Sequence, residues 1–219
     1  MKKIIAFIFA LCSLLFLYSC EKDQGLLPYR SEVRTDILTG ESENYSVKAC
    51  VIKTESPLTD DGKTEKLIPF LRFFLKAEDL NAVYKIDFII GENAYSRDFS
   101  LDPASGEFTA SVETDELTQK TLDVRISCAG NVESINLTSI VPENALTHTA
   151  VLDAVLLNNP ELFNAYRDEG GNFLAEIRLK ITVKDDKPYY IFGIVDGKSR
   201  KAFLADGITG EVLAIRNVF

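Results

Sequence analysis

Residues 121–140 read TLDVRISCAGNVESINLTSI. Successive side chains of an extended strand point to opposite faces, so Val124, Ile126 and Cys128 fall on one side and Arg125 and Ser127 on the other. Gly130-Asn131 supplies turn chemistry, and a second β-rich run follows at 134–141. This stretch therefore predicts two neighbouring antiparallel strands, each with one face on a core.

Working outward, similar runs occur at 45–54, 67–76, 82–90, 95–101 and 108–114. Turn signals separate them at Asp60-Asp61-Gly62, Gly91-Glu92-Asn93 and Pro103-Ala104-Ser105-Gly106. About seven short strands with no long helical window predict an antiparallel β-sandwich of immunoglobulin-like size over 45–141. With no Trp in the chain, the antibody-type core is not matched, and the expectation concerns architecture alone. The most apolar run, IPFLRFFL at 68–75, suits a partner surface if it lies on an edge. A central strand buried on both faces is the preferred reading, interrupted at Arg72 and with Pro69 near its start.

After Pro142 the period changes. Ala150, Val151, Ala154, Val155 and Leu157 recur at helical spacing behind a cap at Thr147 or Thr149. Pro160 favours a second helical start, with Gly170-Gly171 as its stop. Runs at 173–184, 188–195, 199–206 and 211–218 follow, joined by links short enough to force antiparallel neighbours. The fold class expected is mainly β, with the sandwich followed by a small α+β unit over 142–219 in which a helix packs on an antiparallel sheet.

The chain opens with Met1-Lys2-Lys3, an apolar run over 4–18 and Ser19-Cys20. A bilayer-spanning helix needs roughly 20 apolar residues, so a charged start and a shorter run predict a signal peptide over 1–19. Leu17-Tyr18-Ser19-Cys20 resembles the lipobox of bacterial lipoproteins. That resemblance implies that Cys20 carries lipid on its thiol, becomes the mature N-terminus and is acylated there, with palmitate-like chains. Each buried methylene contributes about 0.8 kcal/mol, so two or more chains hold a protein on a membrane. The partner implied is the membrane itself, through the anchor, on the extracytoplasmic side of a bacterial envelope. Residues 20–44, with Gly25, Pro28, Gly40 and many charges, are expected to be mostly tether, although the patch 33–38 can pair with the following domain. A flexible coil of about 24 residues reaches roughly 27 Å.

Loss of the signal removes Lys2 and Lys3 from 24 basic residues and none of 33 acidic ones, so the net charge moves from −9 to −11. Such a balance argues against nucleic acid as a partner. Of four cysteines, Cys12 leaves with the signal and Cys20 takes lipid. Cys50 and Cys128 remain, and the sequence allows either a disulfide or two buried thiols. A bridge closing about 79 residues contributes about 4 to 5 kcal/mol in the chain-entropy model.

The stretch KPYYIFGIVDGKSRKAFLADGITGEVLAI, 187–215, resembles the PepSY domain, whose last hairpin carries a D-x-x-T-G-E turn. Here that turn is Asp206, Thr209, Gly210 and Glu211. The resemblance implies an extracytoplasmic domain, in some members linked to inhibition of proteases. The same spacing recurs as Asp102, Ser105, Gly106 and Glu107. An Asp that accepts backbone amides two or three residues on, followed by a Gly at positive φ, closes a turn. Both copies are expected to be structural turns, since calcium needs several more oxygens.

Catalytic patterns do not emerge. The one histidine, His148, has neither a neighbouring nucleophile nor the further ligands that zinc requires. Asp60-Asp61, Asp168-Glu169 and Asp185-Asp186 read as solvated turns. Asn44-Tyr45-Ser46 and Asn136-Leu137-Thr138 match a glycosylation pattern without meaning in a bacterial lipoprotein. The function expected is a non-enzymatic binding or structural module with an envelope protein partner and no cofactor or metal. A protease inhibitor or folding helper, and a solute-binding accessory lipoprotein with a pocket between its two units, are the alternatives.

Overall fold

The computed structural model describes residues 25–55, 64, 66–114, 117, 119–197 and 200–218. The signal segment, Cys20 and Asp60-Asp61 lie outside the described residues. After a single 3-10 turn at Leu27–Tyr29 come β1 (Arg30–Glu41), β2 (Ser46–Glu55), β3 (Leu67–Lys76), β4 (Tyr84–Ile90), β5 (Asn93–Asp98), β6 (Ser100–Asp102) and β7 (Glu107–Glu113). β8 (Thr121–Cys128) and β9 (Asn131–Ser139) follow, then helices α1 (His148–Asn158) and α2 (Glu161–Asn164). The chain finishes with β10 (Glu176–Lys184), β11 (Lys187–Val195), β12 (Arg200–Asp206) and β13 (Val212–Val218). The protein is mainly β and largely antiparallel, and its sheet curls nearly into a barrel.

One strand joins everything. The sheet runs β13-β12-β11-β10-β1-β2-β3-β7-β6, while β9 leaves β1 to lead into β8, β4 and β5. β1 pairs along its length with β2, in parallel with β10 through Arg30–Arg34, and at its far end with β9 through Leu38 and Thr39. Gly40 is required there, because a Cβ would meet the Asn136 carbonyl oxygen at 2.6 Å and Ile135 at 2.9 Å. Residues 30–41 are thus not tether, which corrects the expectation for 20–44. Their charges find partners within the sheet: Glu32 meets Lys180 at 2.9 Å and Asp36 meets Lys120 at 2.7 Å. Nor does the sheet break at 141/142, since β10 pairs with a strand that precedes the expected sandwich.

Two apolar clusters share this junction. β2 gives Cys50 and Ile52 to the cluster that holds α1 and β10–β12, and Val47, Ala49 and Val51 to the cluster filled by β3, β4, β7 and β8. Alternate residues face opposite ways, so the continuous burial of 49–52 marks a strand covered on both sides. The C-terminal cluster centres on Phe192 stacked on Phe203, with ring centroids 4.4 Å apart. α1 begins where Thr147 accepts a hydrogen bond from the Ala150 amide at 3.2 Å, and it buries Val151, Leu152 and Val155. It stops before Pro160, which cannot continue a helix. The second helical start is shorter than expected: α2 closes at Asn164. Asp168 then takes the Asn172 amide and builds a separate turn around Gly170-Gly171.

Between the clusters lies a polar seam. Asp36, 8 % exposed, follows a β-bulge in β1. It accepts hydrogen bonds from the Ile37 amide, the Ser139 hydroxyl at 2.6 Å and the Lys120 ammonium at 2.7 Å. Nearby, the buried Tyr190 hydroxyl donates to the Leu146 carbonyl at 2.8 Å and pins β11 to the approach of α1. Burial, with a smaller push from the Asp36 charge, raises its pKa from 10.0 to about 12. A folded pKa above the unfolded one means that the contribution is complete below pH 10 and disappears as pH climbs through about 12. Alkaline titration monitored by circular dichroism should therefore show stability falling steeply in that window, and Tyr190→Phe should flatten the fall while lowering neutral stability by about 1 kcal/mol.

Candidate functional site

Three turns meet at the far end of β1, about 36 Å along the strand from its start. The β1–β2 turn brings Glu41, Ser42, Glu43, Asn44 and Tyr45, the segment after β3 brings Glu78 and Asp79, and the β8–β9 hairpin brings Asn131, Val132 and Glu133. Two adjoining hollows of ≈ 420 and ≈ 510 Å³ share Asn44, Tyr45 and Glu78, and form one open cleft.

Tyr45 stands between the hollows. Its ring meets Tyr84 edge-on at 5.8 Å, and Tyr84 in turn meets Phe108 at 4.8 Å. Tyr84 donates its hydroxyl hydrogen to the Asp79 carbonyl at 3.0 Å. Desolvation raises both phenols, so both rings remain neutral hydroxyls at ordinary pH. Glu133 shows the opposite shift: hydrogen bonds from Ser42 and then Asn44, the latter at 2.6 Å, hold its carboxyl below the usual range. Its charge is therefore held in place among the residues that line the cleft. Glu41, Glu43, Glu78, Asp79 and Glu133 surround the space against one cation, Lys76. Such walls attract a cationic group, and tyrosine faces complement an organic cation.

The sequence singled out none of these carboxylates. Tyr45 was legible only as the start of a strand, and Asn44 only within a glycosylation triplet. No local pattern announces the cleft, because its walls come from turns separated by 30 to 90 residues and are assembled by sheet register alone.

The residues that the sequence did single out lie elsewhere. Asp206 accepts from the Ile208 and Thr209 amides at 2.8 and 2.9 Å, and the Gly210 amide closes onto the Asp206 carbonyl. Asp102 repeats the arrangement with Ala104 and Ser105, and Gly106 has φ 70° beside 76° at Gly210. These are turns closed by local hydrogen bonds to the Asp side chain, and Gly210 also packs so closely on α1 that a Cβ would meet Ala154 at 2.6 Å. Cys50 and Cys128 are free thiols, the second of the two arrangements the sequence allows. The reason is topological: Cys50 belongs to the α1 cluster, whereas Cys128 packs beside the other, on a strand that does not neighbour β2. His148 is the first residue of α1, behind its Thr147 cap. Asp185 and Asp186 make the two-residue β10–β11 turn, both at positive φ. β3 is central, between β2 and β7, yet only Leu71, Phe73 and Leu75 on one face are fully buried. The preferred reading of that run is corrected on this point, since Arg72 on the other face is exposed.

Among the described residues no group of three or more His, Cys, Asp or Glu is placed to hold a metal ion, and no helix is long and apolar enough to cross a membrane. Fold and site together define a mainly β protein with an open, acidic, tyrosine-lined cleft. No protein-family model, curated protein or solved structure matches the chain.

Proposed function

We propose that the chain is a lipid-anchored protein of a bacterial cell envelope, exposed outside the cytoplasm, which acts as a non-enzymatic binding module and takes a cationic group into the cleft at Tyr45. The signal-like start and the lipobox at Cys20 support the address, and the PepSY-like 187–215 stretch agrees with it. We read the sheet as a β-sandwich that incorporates β1, followed by an α+β unit. The observation that carries the binding reading is the convergence of five carboxylates on one tyrosine-centred space. With the anchor at the N-terminus and β1 running away from it, the cleft is presented at the end remote from the membrane.

Spermidine is a suitable probe for titration calorimetry on the full mature chain. Saturable binding is expected, weakened about 30-fold by Tyr45→Ala, as befits the loss of a central aromatic contact worth about 2 kcal/mol. Absence of heat, or equal affinity in the variant, would refute the cleft as the site.

A further inference from the structure

The link between Cys20 and the folded body is far shorter than the charged start of the chain suggests. Leu26 is 2 % exposed, inside the α1 cluster. The Pro28 carbonyl accepts a hydrogen bond from the Thr64 amide at 2.8 Å, and the Arg30 Nε donates to the Leu27 carbonyl at 2.9 Å. Tyr29 meets Phe173 edge-on, with ring centroids 5.1 Å apart. The chain therefore belongs to the body from Leu26 onward. If Cys20 carries lipid, the residues between the anchor and Gly25 are Glu21, Lys22, Asp23 and Gln24 alone.

A fully extended chain advances at most about 3.6 Å per residue, so the path from Cys20 to Gly25 spans no more than about 18 Å however it runs. β1 alone is about 36 Å long. A body turned over, with the Tyr45 cleft on the bilayer, needs its own start held about 36 Å up, about twice what the link reaches. Attachment therefore decides which end meets the membrane. That end is built from the starts of β1 and β10, which pair at Arg30 and Ile177. Leu174, next to the Phe173 that Tyr29 packs against, is 59 % exposed, and Leu27 and Tyr29 are half-buried. Charge is close to balanced there, with Arg167, Arg200 and Lys201 as well as Asp168, Glu169 and Asp196. The far end carries five carboxylates against Lys76, and an anionic bilayer repels it.

We infer that the end bearing Leu27, Tyr29 and Leu174 is a membrane-apposed surface, held against the lipid headgroups by the short link from Cys20. The inference rests on the lipid-anchored reading and goes beyond it, since an anchor on a long tether leaves the body free to turn over and this one does not. It also narrows what the cleft takes. The headgroup amines of the protein's own membrane are out of reach of Tyr45, so the cationic group arrives from the side away from that bilayer.

The chain has no Trp, so one introduced indole reports its own position. Leu174→Trp and Val132→Trp place it at the two ends, each at a site 59 % exposed, where the larger ring is tolerated. The lipidated full mature chain is reconstituted in phosphatidylcholine and phosphatidylglycerol vesicles that contain headgroup-dansylated lipid, and energy transfer from indole to dansyl is measured. Transfer from the Leu174→Trp chain should exceed that from the Val132→Trp chain by about threefold or more, given ends about 36 Å apart. A Gly-Ser insertion of about 20 residues between Gln24 and Gly25 adds a reach of roughly 25 Å and should lower that transfer by about half. A chain that does not float with the vesicles would refute lipid anchoring and this inference with it. A chain that floats but gives equal transfer from the two sites, greater transfer from position 132, or no fall on insertion would overturn the inference and leave the anchor standing.

Discussion

Replacing Phe192 by Ala is expected to lower the unfolding free energy by about 3–5 kcal/mol, the range for removing a large ring from a packed interior. Phe192 is fully buried, stacks on Phe203 and lies opposite Leu179 in the β10–β11 ladder. The cluster it belongs to is closely built, because Val155 on α1 and Ile194 on β11 in the same cluster are themselves fully buried and held by their own elements. The loss should not stay in the C-terminal half. β1 and β2 supply side chains to both clusters, so the N-terminal strands should lose stability with it, in a single transition. Urea unfolding followed by far-ultraviolet circular dichroism and by tyrosine fluorescence should give coincident curves, both shifted. Two separate transitions, with only one moved by Phe192→Ala, would show that the halves are independent domains.

The second large effect is expected at Asp36. Removal of its carboxylate by Asp36→Ala leaves the Ser139 hydroxyl, the Lys120 ammonium and the Ile37 amide without their acceptor. Hydrogen bonds to a charged group contribute about 1.5–3 kcal/mol each, and stranded partners add a desolvation cost. Lys120 is largely exposed and recovers its hydration, so a total of about 2–3 kcal/mol is expected. Asp36→Asn, which keeps an acceptor oxygen but no charge, should retain about half of that. An Asp36→Ala chain as stable as the parent in the same urea experiment would remove the seam as a structural element.

Much of the sheet was legible because it obeys local rules. The runs at 67–76 and 121–128 were read to the residue, the first because it is a compact apolar block and the second because alternation and a flanking turn signal coincide there. The Asp102 and Asp206 turns were equally readable, because an Asp oxygen closing on amides two and three residues ahead is chemistry contained in five residues. β1 was misread for a physical reason. Arg30, Glu32, Arg34 and Asp36 resemble a solvated linker until Lys180 and Lys120, about 150 and 84 residues away, come to meet Glu32 and Asp36. The double burial of β2 was hidden too, as ACVI at 49–52 carries no mark of which neighbours cover it. The cleft was the least visible of all, because nothing local distinguishes its carboxylates from those of other solvated turns.

The address of the protein rests on Cys20, and intact-mass measurement of the native protein from the envelope fraction tests it most directly. The expected species begins at Cys20 and exceeds the bare polypeptide by a diacylglyceryl group and a further acyl chain. Cys20→Ala should abolish that increment and release the protein from the membrane. A mature chain that still begins at Met1, or one with an unmodified Cys20 recovered from the cytosol, would contradict lipid anchoring and the outward presentation of the cleft that follows from it.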